Sequence, residues 1–148
     1  MKKLVFLLVG LFALSVVSKA DNVKTVQIGQ LPTPAQTFIT TYFKDNKVAL
    51  AKVETEFLSK TYEVLFTNGS KVEFDRSGEW TEVLYKTGEI PAEIIPQPIR
   101  DYVKQNYPET VIQKIERDKH KIEVKLSNRW EITFDNNMQV IDIDDLYR

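Results

Sequence analysis

Two kinds of residue in this chain could carry out catalytic chemistry. The single histidine, His120, lies in Asp118-Lys119-His120-Lys121 and has the side chain that most often acts as a general base. Acids at every second position, such as Glu54 and Glu56, could pair as the acid and base of a glycosidase. No Ser or Cys nucleophile motif accompanies His120, and acids with a period of two are typical of the solvent side of a strand. The residues therefore predict that this protein is not an enzyme.

A third group of residues could bind a metal ion. Oxygen atoms of the kind that Ca²⁺ prefers lie close together near the C terminus, on Asp142, Asp144 and Asp145. Calcium takes roughly six to eight oxygen ligands, and the spacing of a known calcium loop is missing. Acids on an edge strand also discourage aggregation, so we predict no metal site and no cofactor.

The first 20 residues have the pattern of a secretory signal peptide. Lys2 and Lys3 precede an apolar run from Leu4 to Val17, which is shorter than the roughly 20 residues of a membrane span. Small residues, Ser18 and Ala20, stand at the −3 and −1 positions of a cleavage site. We therefore predict a periplasmic or secreted protein, with no membrane span after cleavage.

The composition limits the partners that this protein could have. The whole chain has a net charge of −1, and removal of the signal peptide would remove lysines but no acids. A mildly acidic chain makes nucleic acid an improbable partner, because phosphate binding needs a basic face. The chain has no cysteine, so its core must hold the fold without disulfides.

The remainder of the chain contains the same pattern twice. Leu31-Pro32-Thr33-Pro34 opens one unit and Ile95-Pro96-Gln97-Pro98 opens the other. In the first unit the pattern predicts a helix capped by Thr33, with Gln36 closing a capping box; Pro108 ends the second helix. Apolar residues then recur at helical spacing, which predicts a stripe facing a core: Ala35, Phe38, Ile39, Tyr42 and Phe43, then Ile99, Tyr102, Val103 and Tyr107.

Each predicted helix is followed by segments that alternate with the period of a strand. The residues predicted to point inward are Val53, Thr55, Phe57, Tyr62, Val64, Phe66, Val72 and Phe74, then Ile115, Ile122, Val124, Leu126, Trp130, Ile132 and Phe134. A fourth strand is predicted around residues 79–85 and again around 139–144. The predicted fold class is α+β, a tandem repeat of one helix and a four-stranded antiparallel meander. Its boundaries are a signal peptide at 1–20, an N-terminal lead at 21–30, and repeats at 31–86 and 90–148.

The motifs of both units resemble the β-lactamase-inhibitor-like, PepSY-like family of small exported bacterial proteins. The first unit carries Tyr62-Glu63-Val64, the Asn68-Gly69 turn and the run from Val72 to Trp80. The second unit repeats Ile122-Glu123-Val124 and Phe134-Asp135, but Arg129 and Met138 replace Gly69 and Gly78. The resemblance implies tandem units that share one continuous sheet with helices on one face. It brings no catalytic motif with it.

The sheet face turned away from the predicted helices is the best candidate for a functional surface. Its outward row is mostly charged, and the residues that we select as candidates for partner binding are Glu63, Leu65, Glu73, Tyr85, Glu123 and Lys125. We predict a non-enzymatic exported module that docks an envelope protein or peptide there, as an inhibitor or an adaptor. Two alternatives stay open: a solvated face with no partner, and a small-molecule or ion sensor with its site in a cleft between the repeats. The sequence leaves open the oligomeric state and whether the two units share one sheet or pack as separate ones.

Overall fold

A computed structural model describes residues 22–147; the predicted signal peptide, residues 1–20, lies outside the described residues. Within them, the chain forms two α-helices, α1 (Thr33–Tyr42) and α2 (Gln97–Asn106), and nine strands. The strands are β1 (Val23–Val26), β2 (Val48–Glu56), β3 (Ser59–Phe66), β4 (Lys71–Phe74), β5 (Trp80–Leu84), β6 (Ile112–Arg117), β7 (Lys121–Leu126), β8 (Trp130–Asp135) and β9 (Val140–Asp145). Short 3₁₀ turns at Ile28–Gln30 and Ala92–Ile94 precede the two helices.

All nine strands belong to one antiparallel sheet, and their order in space is their order along the chain. One row of aliphatic side chains crosses every strand at matched register: Val26, Ala51, Val64, Val72, Val83, Ile115, Val124, Ile132 and Ile143. Because neighbours along a strand point to opposite sides, this row defines one apolar face. The α+β class is therefore as the sequence predicted, and the single sheet is the arrangement that the family resemblance implied.

Both helices pack against this apolar face through aromatic side chains. On α1, the ring of Phe38 meets Phe74 edge-on with centroids 5.7 Å apart. Just after α1, Phe43 stacks on Phe66 at 4.7 Å. On α2, Tyr102 meets Phe134 edge-on at 5.6 Å. Such pairs add to the free energy gained by burying their area, so the helices cover one side of the sheet and leave the other open.

The start of α1 differs from the prediction. Pro32 is the N-cap residue and makes no side-chain cap hydrogen bond, while Thr33 is already helical. The amide of Gln36 does not close a capping box; it donates to the carbonyl oxygens of Leu31 at 2.7 Å and Gly29 at 3.2 Å. Proline has no N–H to satisfy and a φ suited to a helix start, so the helix begins without the predicted cap.

Corresponding turns of the two units share one backbone conformation although their residues differ. Gly69 and Arg129 have φ of 85° and 75°, and Gly78 and Met138 have φ of 91° and 62°. In each turn an Asn or Asp side chain accepts the backbone N–H of the residue two positions later, as Asp75 accepts from Ser77 and Asp135 from Asn137. The Asx hydrogen bond specifies the turn, which explains why the second unit keeps it without glycine.

Three details of the sheet correct the sequence prediction. The predicted N-terminal lead contains a strand, β1, which pairs with β2. Thr55 is exposed, next to the last residue of β2, where Glu54 and Glu56 are exposed as well. Phe57 does not point inward: it occupies the turn between β2 and β3 and is 92% exposed.

Candidate functional site

The open face of the sheet carries a row of five glutamates, one on each of five neighbouring strands. In β3 to β7 they lie directly opposite one another: Glu63, Glu73, Glu82, Glu116 and Glu123. We call this set the glutamate row and the open side of the sheet the outer face. Like charges directly opposite each other on neighbouring strands destabilise a sheet, so this arrangement costs stability that the fold must recover elsewhere.

A second row on the same face, two residues from the glutamates along each strand, supplies part of that compensation. Its members on β3 to β7 are Leu65, Lys71, Leu84, Lys114 and Lys125. The Lys71 Nζ lies 3.3 Å from Glu82, 3.5 Å from Glu73 and 3.9 Å from Glu63. The Lys114 Nζ lies 3.7 Å from Glu82 and 3.4 Å from Glu116. Two lysines therefore bridge four of the five glutamates.

The centre of the outer face is half-buried by its own long side chains. The side chain of Glu82 is 12% exposed and that of Glu63 is 16% exposed, whereas Glu116 is 48% exposed. Burial, the hydrogen bond with Glu63 and the charge of Glu82 together raise the pKa of Glu73 to about 7. Burial opposes the charge on Lys71, but the neighbouring carboxylates outweigh it and raise the Lys71 pKa. Lys52 pairs with Glu63 and Lys121 with Glu123, so every member of the glutamate row has a lysine partner. The carboxylates are nevertheless crowded enough to raise the pKa of Glu73.

The raised pKa of Glu73 predicts how stability changes with pH. The folded chain holds this proton more tightly than the unfolded chain, so the contribution of Glu73 favours folding below about pH 4.5 and is lost as pH rises towards about 7. Glu73→Gln mimics the protonated form and should raise the free energy of unfolding at pH 8 by about 1 kcal/mol, after allowance for solvent screening. Urea unfolding at pH 5 and pH 8 measures the difference.

Glu116→Gln is the matched control for this prediction. It makes the same chemical change in the same row, but at a more exposed side chain, and it should leave the pH dependence close to that of the natural protein. If the two variants show the same change between pH 5 and pH 8, the raised pKa of Glu73 is not the source of this pH dependence.

The structure brings five of the six candidate residues together. Glu63, Glu73 and Glu123 lie in the glutamate row, and Leu65 and Lys125 lie in the row beside it. Tyr85, which we expected near the outward end of its unit, lies on the helix side instead. Its ring packs 5.2 Å from that of Phe43, and its hydroxyl donates to the Tyr42 carbonyl at 3.4 Å. Tyr85 therefore belongs to the core layer.

Sequence reasoning missed two central residues of the outer face, Glu82 and Lys114. They meet because β5 and β6 are neighbours, which pairs Glu82 with Glu116 and Leu84 with Lys114. The alternation of Glu82 with Val83 was a signal for an outward side chain. The pairing of β5 with β6 forms only because the two units join into one sheet. The residues of a single strand do not show that this joining occurs.

The other chemical candidates lie apart from the outer-face centre. His120 is exposed in the turn between β6 and β7, and its backbone N–H donates to Asp118 Oδ1 at 2.7 Å. Asp142 and Asp144 are exposed on the edge strand β9. Among residues 22–147, no three His, Cys, Asp or Glu side chains are grouped so that they could hold a metal ion.

The family model described as "putative beta-lactamase-inhibitor-like, PepSY-like" matches residues 60–142 of this chain. The chain belongs to this PepSY-like family. The match starts in β3 and runs into β9, so it includes every strand that carries the glutamate row. The resemblance seen in the sequence is thereby confirmed.

Solved structures of similar proteins agree with this assignment. A "putative periplasmic protein" of the DUF2874 family from Bacteroides vulgatus is 57% identical, with a TM-score of 0.82 over 84% of this chain and 98% of that one. A "putative calcium-regulated periplasmic protein" from Bacteroides thetaiotaomicron is 55% identical, with the same TM-score and coverage. A third, from Bacteroides vulgatus and described as of unknown function, is 32% identical, with a TM-score of 0.78 over 83% of this chain and 99% of that one.

These relatives confirm the prediction of a periplasmic location, since all three are described as periplasmic proteins. No curated protein matches the chain. Within the described part of this PepSY-like chain, neither helix is long and apolar enough to cross a membrane.

One open hollow lies at the junction of the two halves of this PepSY-like sheet. It has a volume of about 460 Å³ and is lined by Asp75, Glu79, Trp80, Thr81, Arg117, Asp118 and Lys119. Arg117 lies over the Trp80 ring at 3.7 Å, and its Nε donates to the Trp80 carbonyl at 2.8 Å. Asp75 and Asp118 accept backbone N–H groups of their own turns. Arg117 also pairs with Glu79 at 3.4 Å, so four of the polar side chains that line this hollow already have partners within the protein.

Proposed function

We propose that this protein is a non-enzymatic binding module of the periplasm that docks a basic protein or peptide on its outer face. The observation that carries the proposal is the glutamate row: five carboxylates at matched register across β3 to β7. Placing them side by side costs stability. A partner that supplies Lys or Arg side chains would turn that cost into binding free energy.

The charges of the whole outer face support a cationic partner. Its carboxylates outnumber its lysines: Glu54, Glu56, Glu63, Glu73, Glu82, Glu116, Glu123, Glu131, Asp142 and Asp144 against Lys52, Lys71, Lys114, Lys121 and Lys125. Without residues 1–20, which contain three lysines and no acids, the chain has 21 acidic and 17 basic residues, an excess of four, while the outer face alone has an excess of five. Negative charge is thus concentrated on one surface, and complementary charge steers encounters and selects partners.

Apolar side chains lie between the charges of the outer face and provide contact area for a partner. Leu65 and Leu84 lie in the lysine-bearing row, and Leu50 of β2 is 38% exposed next to Leu65. An interface gains most of its free energy from such desolvated contacts surrounded by polar groups. The outer face has both components, which fits an inhibitor of an envelope enzyme or an adaptor for an envelope protein.

The two halves of the chain can be interpreted as a tandem repeat within this module. One helix followed by four strands occurs at residues 31–86 and again at 90–148, and corresponding turns have matching positive φ values. Joining two units at β5 and β6 would double the length of the docking face. This interpretation explains why the glutamate row continues across the junction.

A crosslinking pull-down from periplasmic extract tests the proposed function. The bait is the protein from Asp21 to Arg148, beside a variant with charge reversals at Glu63, Glu73, Glu123 and Lys125. The control variant reverses three acids and one lysine that are exposed away from the outer face: Glu89, Glu93, Glu109 and Lys104. We expect one basic partner to bind the natural protein and the control, and not the outer-face variant. Equal capture by all three baits, or no capture, would leave the outer face merely solvated.

A second candidate function, an ion sensor, is favoured by one relative. The 55% identical protein described as "putative calcium-regulated" suggests that Ca²⁺ affects this chain as well. The described residues contain no grouped set of metal ligands, so the cation would bind through the negative charge of the outer face, where carboxylates such as Glu73 are crowded. The cation would stabilise the folded chain in place of a basic partner.

Thermal unfolding with and without divalent ions separates this candidate from the first. At about 100 times its dissociation constant, bound Ca²⁺ would raise the free energy of unfolding by about 2.7 kcal/mol. Glu63→Gln/Glu73→Gln should abolish the shift if the outer face binds the ion, and Mg²⁺ serves as the control ion. An identical melting temperature with Ca²⁺, Mg²⁺ and no added ion would reject the sensor.

A further inference from the structure

The turn between β2 and β3 exposes two large apolar side chains at the tip of a hairpin. Glu56 and Ser59 form the last pair of the hairpin, which leaves Phe57 and Leu58 as its two loop residues. Phe57 is 92% exposed and Leu58 is 86% exposed. Single exposed apolar residues are ordinary on a protein surface, but two adjacent ones at a projecting tip are not.

The backbone conformation at this tip is also unfavourable for the residues that occupy it. Leu58 has a φ of 68°, in the left-handed region that branched side chains disfavour. Two-residue hairpin loops usually place Asn-Gly or Asp-Gly there. The other tight turns among the described residues use polar Asx chemistry. The side-chain oxygens of Asn68, Asp75, Asn128 and Asp135 each accept the backbone N–H of the residue two positions later.

The corresponding hairpin of the second unit supplies an internal comparison. The turn between β6 and β7 consists of Asp118, Lys119 and His120, all exposed, and Asp118 accepts backbone N–H groups from His120 and Lys121. The same position in the fold can therefore be built from polar residues. Folding alone does not require Phe57 and Leu58 in the first unit.

The charges around the tip distinguish between a membrane and a protein as its target. Glu54 and Glu56 are exposed on β2, between the tip and the rest of the outer face, while the cations Lys60 and Arg76 line a hollow beside Leu58. The charges that connect the tip to the outer face are therefore negative. Carboxylates beside the apolar tip would be repelled by an anionic bilayer surface. The same carboxylates suit a protein pocket with Lys or Arg at its rim, and they continue the negative charge of the glutamate row.

We propose that Phe57 and Leu58 form an apolar anchor that enters an apolar, basic-rimmed pocket of the protein that docks on the outer face. This inference rests on the proposed function, because it assigns a second contact to the same partner. Interfaces concentrate their binding free energy in a few apolar or aromatic anchors that fill pockets. The outer face then steers and orients the partner, and the tip holds it.

The first test of the anchor is photo-crosslinking in the periplasm. Benzoylphenylalanine replaces Phe57 in one protein and Lys119 in a control protein. The partner identified by mass spectrometry is then purified and titrated calorimetrically into the natural protein and Phe57→Asn/Leu58→Gly. The matched control is Lys119→Ser/His120→Ser. We expect an adduct from position 57 with the partner captured by the outer face, and at least a 30-fold loss of affinity in the tip variant alone. The tip variant should also melt a few degrees higher, because glycine relieves the strained φ.

Other outcomes separate the two proposals. No adduct, an adduct with lipid or with a second copy of this chain, or unchanged affinity in the tip variant would overturn the anchor. If charge reversal on the outer face still abolishes binding, the proposed function survives that failure. If the tip variant loses affinity but outer-face reversals do not, the proposed docking on the outer face is what fails.

Discussion

Neutralising three members of the glutamate row should weaken binding of the basic partner at least 100-fold. The variant is Glu63→Gln, Glu82→Gln and Glu123→Gln, which keeps side-chain size while it removes alternate charges of the row. Close charge pairs in an interface contribute about 1.5–7 kcal/mol each in favourable cases, and about 2.7 kcal/mol corresponds to 100-fold. Calorimetric titration of the purified partner measures the loss.

The control for this result is a variant that removes positive instead of negative charge from the outer face. Lys114→Gln/Lys125→Gln makes the same face more acidic, so the basic partner should bind more tightly and with a steeper dependence on salt. Circular dichroism checks that both variants fold. Equal affinity of the natural protein and both variants would show that the charges of the outer face do not recognise the partner.

Gly78→Ala should destabilise the protein by about 3 kcal/mol, the largest stability effect that we expect from adding one methyl group. Gly78 has a φ of 91°, and a Cβ there would lie 2.7 Å from the Pro32 Cβ and 3.2 Å from the Ala35 N. These atoms belong to the start of α1, which rests on the β4–β5 turn. The added carbon therefore costs both backbone strain and the packing of the helix on the sheet.

Two other glycines provide smaller expected effects with which the Gly78→Ala result can be compared. Gly69→Ala meets the flexible Lys86 side chain at 2.8 Å with a φ of 85°, so it should cost about 1–2 kcal/mol, mainly from strain. Gly29→Ala has nothing within 4 Å and should change stability by less than about 0.5 kcal/mol. Urea unfolding gives all three values. A Gly78→Ala variant as stable as Gly29→Ala would mean that the turn does not support α1 as described.

Local patterns in the sequence were sufficient to predict most of the sheet. The alternation of Tyr62, Val64 and Phe66 predicted an inward row in β3, and the structure buries all three. The Asn68-Gly69 pair predicted the tight turn that follows, and Gly69 has the expected positive φ. These features depend on neighbours along the chain, which is the information that a sequence carries directly.

The predictions that failed depended on where an element ends or what lies next to it in space. Phe57 follows the alternation of β2, but the strand ends at Glu56 and the turn takes Phe57 out of the pattern. β1 is only four residues long, three of them exposed, and it depends on pairing with β2. A short strand of this kind has too little periodicity to be recognised.

The composition of the candidate site was predictable only in part for the same reason. Glu63, Glu73 and Glu123 were recognisable from alternation within single strands. The continuous row, with Glu82 between Glu73 and Glu116, results from the order of strands in the sheet. Long-range pairing therefore converts separate outward acids into one charged surface, and no single segment shows that surface.

The most direct test of the outer face as the docking surface is methyl NMR of the leucines during titration with the captured partner. Leu65 and Leu84 lie on the outer face, whereas Leu31 and Leu126 are buried on the helix side. We predict that the partner shifts the methyl signals of Leu65 and Leu84 and leaves those of Leu31 and Leu126 unchanged. Shifts confined to Leu31 and Leu126 would place the partner on the helix side and contradict the proposed function.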